Sequence, residues 1–535
     1  MGSSSMKEAA QGLKRNLPTR FARTAATHRK KGFLQQCRPW QTGSGIVAGG
    51  PMMRVKTVSA MNLSLALLMN WPLALLLLVP ADAAAAAPAP DAPRRVVDAA
   101  KTPDTVALRR LIDQRMDVND TDVDGTSALH WAVHRDDVNA VDLLLGAGAK
   151  ASATNRYGVT PLSLACINGN ARIVDHLLKA GSDPNTRSAD DETALMTASR
   201  TGATEVVKLL VAGGADVNAK ETWRGQTALM WAVAEQHPEV VDALIEAGAD
   251  IRARSTKGFT PFLFAVRSGD PRIVRRLLAA GADVNEKGGE GTPALILAIV
   301  NAHYELAAYL LDVGADPNAD APGGTSLHAI TRTRNYEYGK VVRPAAVQTG
   351  NMSDLELVDL LFAYGADPNV QIVKPLPRQG GFDNNYLKLI GATPFLLAAR
   401  AADPTLMRIL LDYGADPTIR TSENVTPLMV AAGMGYVQGQ SIGYDRERYQ
   451  AVKLLVDLGA DVHAASDSGE TAMHGAATGG VNDVVTLLVQ SGAKLDTKSK
   501  DGWTPLSIAD GTRSAFRAWP HTAALLRQLL ADASK

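Results

Sequence analysis

The sequence contains very little cysteine. Of its 535 residues, only Cys37 and Cys166 are cysteines, and a single possible pair cannot form a disulfide framework. Cys37 lies in a segment that we expect to be absent from the mature protein, and no basic residue stands near Cys166 to activate its thiol. The sequence therefore excludes a fold held together by disulfides, and it favours a buried, unreactive thiol at Cys166 over a nucleophile.

Beyond its first 56 residues, the chain lacks an excess of positive charge. The whole sequence balances 55 Lys and Arg against 55 Asp and Glu. Eleven of the basic residues and a single acid, Glu8, lie in the first 56 residues, so the remainder has 44 basic and 54 acidic residues and a net charge of −10. Binding to the phosphates of nucleic acids needs a clustered positive surface. We therefore predict no nucleic-acid partner.

The sequence also lacks the common motifs of catalysis and cofactor binding. It has no G-x-x-x-x-G-K-[ST] phosphate loop, and the glycines of "GMGYVQGQSIG" do not follow the spacing G-x-G-x-x-G. His130 and His134 have the spacing of a two-histidine zinc site on a helix, but Trp131 stands where a zinc protease has its glutamate. We predict no metal, no cofactor and no enzymatic activity, and a structural role for His130.

Residues 53–83 have the composition of a secretory signal peptide. A basic start is followed by an apolar run from Leu63 to Val79 and then by small residues at Ala81–Ala83. We predict that this segment is cleaved and that an Ala/Pro linker, residues 84–93, follows it. The mature protein would then be exported, and the expected compartment is the periplasm of a bacterium.

An uncleaved anchor is the alternative for the same segment. The apolar run approaches the length that spans a bilayer, so residues 61–80 would hold the protein in the inner membrane. Contact with a membrane is expected only in that case. We interpret residues 1–52 as an over-extended start or a basic leader, because a signal peptide does not need so long a basic region.

The rest of the chain repeats with a period near 33 residues. Glycines of a recurring "GAD" phrase mark the period, and most neighbours in the series are 33 or 34 residues apart. A fixed period of this length is typical of a solenoid of stacked units. The marking glycines are Gly148, Gly181, Gly214, Gly248, Gly281, Gly314, Gly365, Gly414, Gly459 and Gly492.

One unit, "GVTPLSLACINGNARIVDHLLKAGSDPN" (158–185), predicts two helices and a hairpin finger. Thr160 is placed to cap the first helix, and Pro161 occupies the first helical position, where no N–H donor is needed. Gly169 and Gly181 end the two helices, because glycine adopts the left-handed conformation without strain. The sequence therefore predicts an all-α solenoid of helix-turn-helix units with short fingers.

At these residues the chain resembles the ankyrin repeat family. The resemblance is carried by first-helix phrases such as "GVTPLSLA" (158–165) and "GFTPFLFA" (258–265), and by second-helix endings such as "LLAAGADVN" (277–285) and "LLDVGADPN" (310–318). It covers residues 94–535, as about eleven repeats preceded by an N-terminal half-repeat. It implies a non-catalytic scaffold whose protein partners meet a concave surface made of fingers and first helices. We expect the chain to be monomeric.

Three insertions interrupt the period, near 332–350, 371–389 and 435–447. The first and third lie between the two helices of a unit, because the separation of the first-helix leucine from the repeat glycine grows from 19 residues to 38 and 31. The middle insertion lengthens a finger. Long loops in compact domains are often functional, so we expect these three neighbouring units to carry a specialised surface.

Tyrosine and arginine are concentrated in the insertions, and both residue types dominate binding hot spots. We predict that this patch extends the concave binding surface for a protein partner. Two alternatives remain open: the insertions could bind a small molecule or glycan in a tyrosine-rich pocket, or they could simply pack on one another. The candidate partner-binding residues are Tyr336, Tyr338, Arg343, Phe382, Tyr386, Tyr436, Tyr444 and Arg446.

Overall fold

The computed structural model describes residues 95–335, 348–375, 387–435, 445–512 and 518–534. These residues form 24 helices and no strand, with four isolated antiparallel bridges in the fingers. The predicted all-α architecture is therefore confirmed. The helices are α1 (Val96–Ala100), α2 (Thr105–Asp113), α3 (Ala128–His134), α4 (Val138–Gly146), α5 (Pro161–Asn168), α6 (Ala171–Lys179), α7 (Ala194–Thr201), α8 (Thr204–Ala212), α9 (Ala228–Ala234), α10 (Pro238–Glu246), α11 (Pro261–Ser268), α12 (Pro271–Ala279), α13 (Ala294–Val300), α14 (Tyr304–Asp312), α15 (Ser326–Asn335), α16 (Asp354–Ala363), α17 (Pro394–Arg400), α18 (Pro404–Asp412), α19 (Pro427–Ala432), α20 (Asp445–Asp457), α21 (Ala472–Gly479), α22 (Asn482–Gln490), α23 (Pro505–Ala509) and α24 (Pro520–Ala533).

Capping at the start of the first helices follows the sequence prediction. Thr160 Oγ1 accepts a hydrogen bond from the amide of Ser163 at 3.1 Å, and Ser163 Oγ accepts one from the amide of Thr160 at 3.0 Å. Pro161 occupies the first turn, and Gly169 ends α5 with φ +72°. These contacts satisfy N–H groups that the helix itself leaves unpaired. The local sequence therefore determines where α5 begins and ends.

The helices stack as twelve pairs along the chain. Each first helix packs against the first helix of the next pair, and most second helices do the same. In α8, Val206, Val207 and Leu210 are no more than 1% exposed, and burying a side chain of this kind contributes about 1.5–3 kcal/mol. Because no pair can bury this surface alone, the core is continuous from one pair to the next.

Three of the first helices each contain a buried histidine that links the helix to the following finger. The Nδ1 atom of His130 lies 2.8 Å from Ser127 Oγ, and its Nε2–H donates to the carbonyl of Val159 at 3.0 Å. His328 and His474 repeat this arrangement. Burial lowers the pKa of His328 to about 3. The predicted structural role of His130 is therefore confirmed.

An asparagine ladder joins six of the units, just after their second helices, to the units that follow. Asn318, for example, donates to the carbonyl of Gly365 at 2.8 Å and accepts from the amide of Asp367 at 2.8 Å. The other ladder residues are Asn119, Asn185, Asn218, Asn285 and Asn369. Within the described residues, the ladder is interrupted at the equivalent positions Ser152, Arg252, Thr418 and His463.

The two ends of the array differ from its middle. The segment interpreted as a half-repeat holds two helices, α1 and α2, of which α1 has only five residues. At the other end α23 is also five residues long, and α24 has fourteen. Trp519, just before α24, donates its indole N–H to the carbonyl of Thr478 at 3.0 Å. The short first helices at the two ends, α1 and α23, still pack against the first helices of the neighbouring units, α3 and α21.

The insertions leave the array at defined points. The first joins α15 to α16 and the third joins α19 to α20, whereas only two residues separate α5 from α6. The second lies between α16 and α17, on the side of the fingers. The described stubs at each insertion therefore show how it is attached to the stack.

Candidate functional site

Most of the predicted binding residues lie outside the described part of the chain. These are Tyr336, Tyr338, Arg343, Phe382, Tyr386, Tyr436 and Tyr444. The remaining candidate, Arg446, is the second residue of α20 and is exposed. Both the predicted aromatic patch and the alternative tyrosine-rich pocket depend on residues outside the described ranges, so they stay predictions.

Arg334 anchors the start of the first insertion to two units. Its Nη1 donates to Asp354 Oδ2 and its Nε to Asp403 Oδ2, both at 2.7 Å. Burial alone would lower the pKa of Arg334, but the hydrogen bonds to Asp403 and Asp354 outweigh it and raise the pKa. Asp403 also accepts from the amide of Leu406 at the start of α18. The insertion is therefore fixed at its root to the following unit.

The end of the same insertion returns to the preceding unit. Thr349 Oγ1 donates to His303 Nδ1 at 2.9 Å, and His303 Nε2–H donates to the carbonyl of Arg267 at 3.0 Å. The amide of Asn351 donates to Glu305 at 2.8 Å. Burial lowers the pKa of His303, so its ring is neutral in this bridge. The first insertion is thus tied to units on both sides of its own.

The second and third insertions meet at their described ends. Leu387, where the finger insertion returns, lies over Gly435, where the third insertion begins: a Cβ atom at position 435 would lie 3.2 Å from Leu387 Cδ2. On the other side of the third insertion, Arg448 is only 2% exposed and donates to the carbonyl of Ala431 at 3.0 Å. This buried arginine fixes the first turn of α20, which also carries the exposed Arg446.

The described residues contain neither a membrane-crossing helix nor a metal site. No helix in these ranges is both long and apolar enough to span a bilayer. Likewise, the described His, Cys, Asp and Glu side chains form no group of three that could hold a metal ion. Burial raises the pKa of the Cys166 thiol to about 12, which suppresses the nucleophilic thiolate.

The sequence analysis missed a second surface. It is formed by the fingers and first helices of the fourth and fifth full repeats, which contain α9–α10 and α11–α12. At the tip of the finger before α9, Trp223 is 70% exposed and the guanidinium of Arg224 lies 4.1 Å from its ring centroid. The carboxylate of Glu221 fixes this tip, because it accepts hydrogen bonds from the amides of Trp223, Arg224 and Gln226. Glu221 is itself only 5% exposed.

Further arginines stack on aromatic rings of the neighbouring first helices. The guanidinium of Arg267 lies 4.9 Å from the ring centroid of Phe264 and 5.5 Å from that of Phe259. Arg200 lies 5.7 Å from the ring of Trp231. Such cation–π contacts hold a guanidinium flat against an aromatic ring, while the N–H groups in its plane can still donate hydrogen bonds. We call the exposed Trp223 and Arg267, the half-buried Arg224 and the buried rings of Trp231 and Phe264 the arginine–aromatic surface.

The guanidinium groups of Arg224 and Arg267 are not paired with carboxylates in the part of the chain that the structure describes. Within the described residues, neither Arg224 nor Arg267 forms an ion pair, whereas Arg200 lies 3.6 Å from Glu192. Desolvation by the surrounding protein, followed by the positive charge of Arg224, lowers the pKa of the exposed Arg267. Two guanidinium groups are therefore held near each other on an accessible face.

Aromatic residues at equivalent positions of successive repeats were the sequence signal for this surface. Trp231 and Phe264 occupy the same position of successive repeats as Trp131 and Leu164, one residue after the position of the buried histidine. Trp223 and Tyr157 are likewise finger-tip residues, and Tyr157 is 48% exposed with Arg156 stacked 4.8 Å away. Comparing equivalent positions along the repeats, rather than counting tyrosines in insertions, would have located it.

Family models match most of the described array. A model described as "Ankyrin repeats (3 copies)" matches residues 96–188, 171–255, 248–321 and 443–515, which together are more than half of the chain. A model described as "Ankyrin repeat" matches residues 390–422.

Individual relatives share only part of their length with this chain. It is 32% identical over 127 residues to the human ankyrin repeat domain-containing protein 63, covering 22% of this chain and 30% of that protein. The mouse ankyrin repeat and SOCS box protein 16 is 36% identical over 117 residues, 22% of this chain and 25% of that protein. A Caenorhabditis elegans homologue of the transient receptor potential cation channel subfamily A member 1 is 30% identical over 120 residues, which are 22% of this chain and 9% of that protein. The chain thus spans less than a third of each.

Among solved structures, the chain is similar to the human ASB11 ankyrin repeat domain. The sequence identity is 27% and the TM-score is 0.35. The match covers 38% of the present chain and 91% of the ASB11 chain. The relatives above come from eukaryotes and give no support to the bacterial source expected from the sequence.

Proposed function

Because the chain belongs to the ankyrin repeat family, we propose that it is a non-catalytic scaffold that binds protein partners along its fingers and first helices. The observation that supports this most strongly is the row of exposed apolar side chains at finger tips: Val123 is fully exposed, Trp223 is 70% exposed and Tyr157 is 48% exposed. Apolar side chains grouped on one exposed face mark interaction sites in soluble proteins.

We propose further that the three insertions extend this binding surface. Their described ends support this role, because Arg334 links the first insertion to the following unit and Leu387 packs over Gly435. A loop fixed at both ends loses less conformational freedom when a partner binds, and this favours affinity. The insertion patch would include Arg446, which is exposed at the start of α20.

The scaffold function predicts which substitutions reduce partner capture. The tagged full-length chain is cross-linked in the cells that express it, and captured proteins are quantified by mass spectrometry. We expect the double variant Tyr157→Ala, Trp223→Ala to lose about tenfold or more of its specific partners, because aromatic anchors dominate interfaces. Replacing residues 336–347 by a short flexible linker should lower capture while leaving the helix content unchanged.

Val106→Ala is the matched control for the scaffold experiment. Val106 is 79% exposed but lies on the second helix α2, away from the fingers. Its variant should capture partners as the unmodified chain does. Equal capture by the finger variant and the control would contradict the scaffold function. If the linker variant captured partners normally while the finger variant did not, the insertion patch would be ruled out and the finger surface would stand.

We propose, from residues 53–83 alone, that the chain is exported and cleaved. The supporting observation is the order of basic, apolar and small residues in that segment. N-terminal sequencing of the mature protein should then begin near Ala84. A mature protein that still contains residues 61–80 would instead indicate the membrane anchor, and one found in the cytoplasm would contradict export.

A further inference from the structure

We infer that the arginine–aromatic surface binds an extended, acidic peptide segment of a partner protein, with carboxylates at Arg224 and Arg267 and an apolar side chain against Trp223. This assignment rests on the scaffold function proposed above and adds the chemistry of the partner. It concerns the fourth and fifth repeats, away from the insertions that the sequence analysis selected.

The distribution of charge favours an acidic occupant. Arg224, Arg267 and the exposed finger-tip residue Lys257 lie on two successive repeats, and within the described residues none of the three forms an ion pair. The chain beyond residue 56 has a net charge of −10, so this positive surface differs from its surroundings. Like charges held together repel each other until an anion lies between them, and a carboxylate accepts two parallel N–H bonds from a guanidinium.

The arginines are positioned before any partner arrives. Glu221 holds the finger tip through hydrogen bonds of 2.6–2.9 Å from the amides of Trp223, Arg224 and Gln226. The stacking of Arg224 on Trp223 and of Arg267 on Phe264 restricts both guanidinium groups. A surface ordered in advance pays less entropy on binding. The exposed ring of Trp223 adds apolar area beside the charges.

The size of the positive surface favours a peptide over nucleic acid or a membrane. The neighbouring finger tips on either side carry exposed acids, Asp190 before Trp223 and Glu290 after Lys257. Finger tips follow one another at roughly the 8–10 Å spacing of packed helices, so the positive surface is about two repeats wide. A continuous phosphate backbone or an anionic membrane would meet the flanking acids, whereas a short acidic segment would not.

A peptide-display experiment tests the assignment directly. A random peptide library is selected on the immobilised full-length chain, and the most enriched peptide is synthesised together with a form in which every Asp and Glu is replaced by Asn and Gln. Binding is measured by fluorescence anisotropy at low and high sodium chloride. We expect enrichment of Asp and Glu next to an apolar residue, and binding about tenfold or more weaker for the amide form.

Variants of the chain locate the binding. The double variant Arg224→Gln, Arg267→Gln should bind the enriched acidic peptide about tenfold or more weakly, while Arg109→Gln, Arg110→Gln should bind as the unmodified chain. The control pair removes the same charge from the exposed face of α2. Circular dichroism of each variant establishes that it is folded.

Several outcomes would overturn the acidic-peptide assignment. They are a selection without binders, enriched peptides without acidic residues, and acidic peptides that bind the double variant as tightly as the unmodified chain. Binding of phosphatidylserine vesicles or single-stranded DNA that depends on the same two arginines would also overturn it. Peptides that lose affinity with Trp223→Ala but not with the arginine variant would refute the acidic partner and leave the scaffold function standing. Peptides indifferent to every finger substitution would count against both.

Discussion

We expect Gly433→Ala to destabilise the array by about 2–6 kcal/mol. Gly433 follows α19 with φ +126°, a conformation that costs a residue with a side chain about 1–3 kcal/mol. A Cβ atom there would lie 2.6 Å from the carbonyl oxygen of Gly475 and 3.1 Å from the Cα of Gly479, both in α21. Separating two packed helices adds about 1–3 kcal/mol. Urea unfolding followed by circular dichroism measures the loss.

Gly414→Ala separates the two contributions. Gly414 also has a positive φ, +87°, but a Cβ atom there would meet no atom within 4 Å. This variant should show only the cost of the left-handed conformation, about 1–2 kcal/mol. If Gly414→Ala and Gly433→Ala shifted the urea midpoint equally, the close approach of α19 and α21 would not contribute to stability.

Lowering the pH from 7 to 5 reduces stability by about 2 kcal/mol through His328 alone. Burial lowers the pKa of His328 in the folded chain to about 3, whereas an unfolded histidine has a pKa of about 6.5. Below pH 6.5 the unfolded chain therefore binds a proton that the folded chain does not, and stability falls until the pH nears 3. Above pH 6.5 this contribution is fully present. His130 and His303, whose pKa values are also lowered by burial, add to the loss.

His328→Gln isolates this effect. The variant is less stable at pH 7, because the bonds to Thr325 and Ala392 are altered. Its further loss between pH 7 and pH 5 should nevertheless be smaller than that of the unmodified chain by about 2 kcal/mol. His463→Gln, at an exposed position, should keep the full pH dependence. Urea midpoints at both pH values provide the comparison. If His328→Gln lost as much stability between pH 7 and pH 5 as the unmodified chain, the assignment would be contradicted.

The fold was largely predictable because its determinants are local. Thr160, Pro161 and Gly169 lie within one helix and its caps, and the structure places α5 between them. The same short phrases recur in nearly every repeat, so one correct interpretation applies along the array. The structure of α1 was less predictable, because its segment lacks the Thr-Pro phrase that marks other first helices.

The candidate site was harder to predict because it forms only when repeats stack. Arg224 and Arg267 are 43 residues apart in the chain and become neighbours through contact of adjacent fingers, where the amide of Thr256 donates to the carbonyl of Arg224. The composition of the insertions drew attention to tyrosines instead. The bridge from Thr349 through His303 to Arg267 shows a second long-range link that no local pattern indicates.

The asparagine ladder gives the array an uneven mechanical stiffness. Where Asn218 or Asn285 clamps one unit to the next, bending must stretch two hydrogen bonds to the backbone of the following unit. At Arg252, between those two clamps, the described side chains supply no such pair. We therefore expect more elastic deformation at the joint that follows Arg252, beside the finger that carries Lys257, than at the two clamped joints. Under tension, the curvature beside Arg267 would therefore change before that of the two clamped units on either side.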